Sequence, residues 1–182
     1  MEIKQDNTNL NKKVNLRIKY LNKNKVYNVL DCFHGEGLIW KNIIQKGYNI
    51  NLYSIDLTSS ATIKGNNKNI LRNIDVNDYD IIDLDDYGVP YEQFEIISKK
   101  IKKDIIIFFT CCFIRKNVTR KLMKYYTENK NIQKLVNGKL SLRILKNILC
   151  KTILKMYNGY SIYIDDNGIK IYGVIIKEEQ KW

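Results

Sequence analysis

The sequence predicts an α/β layer fold with a mostly parallel sheet closed by one antiparallel hairpin. Three observations carry this. Five β-rich runs alternate with helix-period segments between residues 26 and 113. One of them, residues 104–113 (DIIIFFTCCF), is almost wholly apolar, as a central parallel strand covered on both faces must be. Near the C-terminus, Asn167-Gly168 separates two further β-rich runs, a strong hairpin signal.

The elements follow in order. Residues 1–10 are polar and read as loose, and residues 14–21 (VNLRIKYL) as a short amphipathic helix. Together, residues 1–24 form a basic N-terminal extension, and residues 25–182 a single domain. Residues 26–33 (VYNVLDCF) are a buried strand running into His34-Gly35-Glu36-Gly37. Residues 38–45 (LIWKNIIQ) have helical spacing, with Gly47 as a stop signal. Residues 50–57 (INLYSIDL) are the second strand and residues 61–65 a weak third, followed by a helical turn or two at 67–73. Residues 80–85 (DIIDLD) are the fourth strand. Pro90 then opens a helix over 90–101, with Phe94, Ile97 and Ile101 on one face. After the fifth strand, residues 117–127 and 141–157 read as helices. In the second, Leu145, Ile148, Leu149, Ile153 and Met156 form the apolar stripe, and Arg143, Lys146, Lys151 and Lys155 lie off it. Strands at 160–164 and 169–176 flank Asp165-Asp166-Asn167-Gly168.

Composition narrows the class. Of 182 residues, 45% are hydrophobic and 27% charged, which excludes a wholly disordered chain. No apolar run approaches the roughly 18 residues of a spanning helix, so no membrane partner is expected. The first residues lack the apolar core of a signal peptide, so a cytoplasmic location with four free thiols is expected.

The net charge of +12 is uneven. Residues 1–25 carry 7 basic and 2 acidic residues, whereas residues 26–113 carry 9 and 12. Residues 114–156 carry 12 basic residues against one acid, Glu128. Codon bias toward Lys would raise Lys everywhere and leaves that split unexplained. A polyanion-binding face beside a carboxylate-bearing site accounts for it. Arg115, Lys116, Arg120 and Lys121 stand just past the fifth strand, where phosphate contacts would dock a nucleic acid. A solvated helix surface is the plainer alternative.

Three motifs carry chemistry. Asp31-Cys32-Phe33-His34-Gly35-Glu36-Gly37 links a strand to a helix, where glycines permit a tight turn and helix N–H groups face a ligand. Its spacing is G-x-G with Trp40 beyond, which disfavours a dinucleotide pyrophosphate. Asp56 ends the second strand, 19 residues after Gly37. It can accept two hydrogen bonds from a ribose diol, or cap a turn; the nearby glycine loop favours the ribose. Asp83-Leu84-Asp85-Asp86-Tyr87-Gly88 puts three carboxylates at the end of the fourth strand, an arrangement that is costly without a purpose. A carboxylate with the next backbone carbonyl can hold both hydrogens of an exocyclic amine, and Tyr87 can stack on its base. Magnesium binding and helix capping are the rival uses.

NVLDCFHGEG, SIDL, DIIDLDDYG and the terminal hairpin together resemble the class I S-adenosylmethionine-dependent methyltransferases, over about residues 25–176. The resemblance implies a Rossmann-like fold, with a seven-stranded sheet and helices on both faces, and S-adenosylmethionine as cofactor. It places Asp31, His34, Gly35, Glu36 and Gly37 against the methionine part, Asp56 on the ribose, and Asn66 or Asn67 near the adenine. Asp85, Asp86, Tyr87 and Gly88 occupy the catalytic motif. That motif resembles Asp-Pro-Pro-Tyr of the amino methyltransferases and, more closely, Asp-Pro-Phe-Gly of the tRNA N2,N2-dimethylguanosine methyltransferases. Small phage-type methyltransferases are also similar. Asp86 stands where the family has proline, a departure that bears on loop geometry and amine specificity.

The implied activity is methylation of an exocyclic amino group in nucleic acid, RNA before DNA, with a second subunit as a possible source of target recognition. The alternatives are a non-catalytic nucleic-acid or partner-binding protein of the same fold, a small-molecule methyltransferase, and a cytosine-5 methyltransferase. The last follows from Thr110-Cys111-Cys112, which resembles the Thr-Cys of RNA 5-methylcytosine methyltransferases, with Cys111 as nucleophile. Burial of Cys111 in the core is the plainer reading. Zinc-ligand spacing, a P-loop and a Ser-His-Asp set are all absent from the sequence, and no metal is expected.

Overall fold

The computed structural model describes residues 9–57, 60–113 and 142–177. The strands are β1 (Val26–Asp31), β2 (Asn49–Asp56), β3 (Ile63–Lys64), β4 (Ile81–Asp85), β5 (Ile106–Cys112), β6 (Tyr160–Asn167) and β7 (Lys170–Lys177). The helices are α1 (Leu10–Ile18), α2 (Leu38–Gln45), α3 (Asn67–Asn73), α4 (Tyr91–Ser98) and α5 (Leu142–Met156). All seven strands form one sheet in the order β3-β2-β1-β4-β5-β7-β6. The first five run parallel to one another, and β7 runs antiparallel to both β5 and β6. The mostly parallel sheet and the closing hairpin are those the sequence predicts.

Alternation along the strands builds two cores. Ile82, Leu84, Ile107, Phe109 and Cys111 point to the face covered by α3, α4 and α5. Ile81, Phe108 and Val174 point to the other, with Val14 of α1 and Trp40 and Ile43 of α2. Asp83, Asp85 and Thr110, by the same alternation, belong to the α1 face. From β1 the chain steps outward to β3, then returns to β4 on the other side of β1. The C-terminal ends of β1 and β4 therefore flank a topological switch point, where open α/β sheets bind ligands.

The structure corrects the sequence reading in three places. The N-terminal helix is Leu10–Ile18, not 14–21. Val14 and Arg17 are buried, because Arg17 inserts among core residues to reach a buried carboxylate. The apolar strand β5 is parallel only to β4; its other edge pairs antiparallel with β7, which buries it just as fully. The hairpin turn is Gly168-Ile169, one residue later than Asn167-Gly168, because Asn167 pairs with Lys170. Gly168, at φ 64, supplies the left-handed conformation such a turn needs, and Asp165 and Asp166 lie in β6. The helix expected at 117–127 lies outside the described residues.

Candidate active site

The loop after β1 is held from within. Asp31 is buried at the strand end; its Oδ1 accepts the Phe33 amide at 3.2 Å and its Oδ2 faces His34 Nδ1 at 3.1 Å. Asp56 Oδ2 accepts the Gly35 amide at 2.9 Å, which ties the end of β2 to the glycine loop. Gly37 caps α2 at φ 69, and its N–H donates to the His34 carbonyl at 2.7 Å. A Cβ there would lie 2.4 Å from His34 Cε1. Asp31, His34 and Gly37 thus form one packed unit, and Glu36 is exposed beside it.

A cleft of about 290 Å³ opens next to this loop, walled by Phe33, Val89 and Tyr91 and edged by Asn66, Asn67 and Asp86. Lys68, Glu92 and Gln93 complete the lining, so a flat heteroaromatic ring would meet apolar faces at Phe33 and Val89 and polar groups around its edge. Asn66 caps α3 through its Oδ1, which accepts the Lys68 amide at 3.0 Å. Asn67 is a strut: it donates to the Cys32 carbonyl and accepts from Gln93, both at 2.9 Å. The sequence reading places Asn67 near the adenine; the structure puts it at the cleft edge with its amide already engaged at both ends.

The carboxylates of β4 part company. Asp83 meets Arg17 in a bidentate pair at 2.6 and 2.7 Å, and Trp40 Nε1 donates to it at 2.9 Å. Arg17 is 1% exposed and Trp40 fully buried. Burial pushes the Asp83 carboxyl up to about 6, with Arg17 pulling the other way. Asp83 is therefore a structural residue sealed beneath α1. Trp40, which breaks the longer glycine motif, is explained by this contact.

Asp85, two residues on, lies at the sheet edge. Lys13 Nζ contacts its Oδ2 at 2.7 Å. Lys13 and Arg17 are four residues apart on a helix, a rise of about 6 Å. Asp85 and Asp83 are two apart on a strand, about 6.6 Å. The match lets one helix serve both acids, and the carboxylates do not converge on a shared point as magnesium ligands would. Neither Lys13 nor Arg17 was singled out from the sequence. Two basic residues at i, i+4 opposite two acids at i, i+2 are the signal that would have found them.

Beyond Asp85 the loop turns sharply. The Asp86 amide donates to the Leu84 carbonyl at 2.9 Å, a bond that proline could not make. Cys112 N–H donates to the Gly88 carbonyl at 2.7 Å and pins the loop to β5. Asp86 thus supplies a local constraint of its own at the family's proline position. Tyr87 is 51% exposed at the rim.

Cys111 is fully buried on the opposite face of β5, and burial pushes its thiol well up. A nucleophile needs a thiolate with access to substrate, so the cytosine-5 alternative through Cys111 is set aside. Arg115, Lys116, Arg120 and Lys121 lie outside the described residues. In α5, Arg143, Lys151 and Lys155 are exposed, and Lys146 pairs with Asp166. No helix among the described residues is long and apolar enough to cross a membrane.

No protein-family model matches the sequence, and no curated protein matches it either. Solved structures do. Trm1 from Pyrococcus horikoshii, in complex with S-adenosyl-L-methionine, superposes with a TM-score of 0.65 at 13% identity, over 94% of this chain and 55% of that one. The chain thus spans little more than half of Trm1. The plantazolicin methyltransferase BamL, in complex with a triazolic desmethylPZN analogue and SAH, gives 0.57 at 14% identity, over 93% and 86%. The putative methyltransferase yhhF from Escherichia coli gives 0.54 at 12%, over 98% and 90%. The chain has the Rossmann-like class I methyltransferase fold.

Proposed function

We propose that this chain is an S-adenosylmethionine-dependent methyltransferase acting on an exocyclic amino group in nucleic acid, RNA before DNA. The observation that carries the reading is Asp85. It stands at the C-terminal end of β4, beside the switch point, with one oxygen already holding an amine, that of Lys13. A carboxylate so placed accepts N–H donors.

The cofactor fits the residues present. Gly35, Gly37 and Asp56 form a loop-and-acid unit at the end of β1, and the Phe33, Val89 and Asn66 cleft has the chemistry of an adenine pocket. When bound, S-adenosylmethionine supplies a methyl group on a positively charged sulfur. The chain's own work is then positioning. Asp85 fixes the amine, the backbone carbonyl of Asp86 takes a second hydrogen, Tyr87 stacks on the base, and Gly88 keeps the loop pinned to β5. The basic residues 114–156 dock phosphates, and a second subunit would complete target recognition. A base inside a duplex must first leave the stack.

A second reading, a nucleic-acid-binding protein without activity, draws support from the same Lys13–Asp85 pair, since an ammonium sits on the carboxylate. One experiment separates the two. With methyl-labelled S-adenosylmethionine and bulk RNA, the wild type transfers label and Asp85→Ala does not, at unchanged cofactor affinity. Equal transfer by Asp85→Ala removes Asp85 from the site. No transfer by the wild type, with RNA still bound, favours the second reading.

A further inference from the structure

We propose that Thr110 is a second acceptor for the substrate's amino group, and that a small cavity between Thr110 and Asp85 receives that group. The inference rests on the amino-methyltransferase reading and sharpens it. Asp85 and Thr110 are register partners on β4 and β5, so their side chains rise side by side from one face. Thr110 is 4% exposed. Among the described residues, the buried side-chain oxygens without a hydrogen-bond partner are Asp85 Oδ1 and Thr110 Oγ1. Both residues line one cavity of about 20 Å³, which Lys13 and Tyr87 help to wall. That is room for one water, or for one nitrogen of a larger ligand.

Buried polar atoms are almost always paired, so two neighbouring orphans on one cavity point to a missing donor. The donor must give a hydrogen to Asp85 Oδ1, which can only accept. A primary amino group has two hydrogens on one nitrogen and serves both oxygens at once. A ring carbon offers no donor, whereas a hydroxyl reaches both oxygens only by accepting from the Thr110 hydroxyl, which is itself a donor. Lys13 holds Oδ2, which leaves Oδ1 as the oxygen that meets substrate. A primary amine fits this cavity, with its second hydrogen on the Thr110 hydroxyl in place of the Asp86 carbonyl.

Thr110→Val keeps shape and removes the acceptor; Thr110→Ser keeps the acceptor. With labelled cofactor and the RNA pool, Thr110→Val should lower kcat about 30-fold while cofactor affinity stays within about twofold. Thr110→Ser should stay within about threefold of wild type. The Val variant should melt close to wild type, because the hydroxyl it removes bonds only to one replaceable solvent molecule. A merely structural role would lower the melting temperature as well as the rate. In a high-resolution crystal structure of the chain alone, one ordered solvent molecule should bridge Oδ1 and Oγ1, and it should be missing in Thr110→Val. Full activity of Thr110→Val, or a dry cavity in the wild type, overturns this inference and leaves the amino-methyltransferase reading standing. Label on a hydroxyl or ring carbon, or no label at all, takes both down together.

Discussion

Arg17 and Asp83 illustrate how one buried pair organises the site around it. Two opposite charges, both almost wholly buried, hold α1 against β4 and leave Lys13 over Asp85. Removing one partner strands the other charge. Asp83→Ala should therefore cost about 3–5 kcal/mol, read as a lowered denaturant midpoint; a loss under about 1 kcal/mol would show the pair to be dispensable. The pH dependence follows from the direction of the shift. The folded carboxyl titrates at about 6 against 3.8 for the ordinary group, so between those values the folded chain holds the extra proton. Its contribution to stability is full below about 4 and is lost as pH rises through about 6. Unfolding free energies of wild type and Asp83→Asn, measured from pH 4 to 7, should diverge across that window; parallel profiles contradict the assignment. At Gly37, left-handed backbone and the His34 ring leave no room for a methyl group. Gly37→Ala should weaken S-adenosylmethionine binding by about tenfold or more by calorimetry, whereas unchanged affinity would separate the loop from the cofactor.

At the scale of elements, α2 and α3 begin and end where the sequence places them, because glycine or asparagine punctuates each start. The β1, β4 and β5 runs were legible because buried strands read as apolar runs of the right length. What was not legible is where α1 starts and how it docks. Its apolar residues are few, and its anchor is an arginine, which composition assigns to the surface. The partner of that arginine lies 66 positions away, a separation no local pattern reports. Nor did the sequence separate Asp83 from Asp85 and Asp86, because nearby acids look alike until a helix covers one of them. Thr110 was read only as a neighbour of two cysteines, since an orphaned hydroxyl has no sequence signature. Helix α1 can be tested directly. Asn15 is exposed in its middle, so Asn15→Pro breaks the helix without entering the core. It should cost about 3 kcal/mol and speed hydrogen exchange over residues 10–18. Unchanged exchange there would mean the helix does not hold the site.

Across the whole molecule, charge and fold divide the work. The described sheet bears the acids, and the excess positive charge falls on residues 1–25 and 114–156. If Arg115, Lys116, Arg120 and Lys121 each meet a phosphate, affinity for RNA should fall about 100-fold between 50 and 200 mM salt. A flat salt profile would point to a small-molecule acceptor instead. The central claim, methylation of an amino nitrogen in RNA, is tested most directly by one assay. Wild-type protein is given methyl-labelled S-adenosylmethionine with total RNA and, in parallel, with genomic DNA, and each pool is digested to nucleosides. Label should appear in the RNA pool, carried on an exocyclic nitrogen. Label confined to DNA, on a ring carbon or on a hydroxyl, or no label in either pool while the cofactor binds, would contradict it.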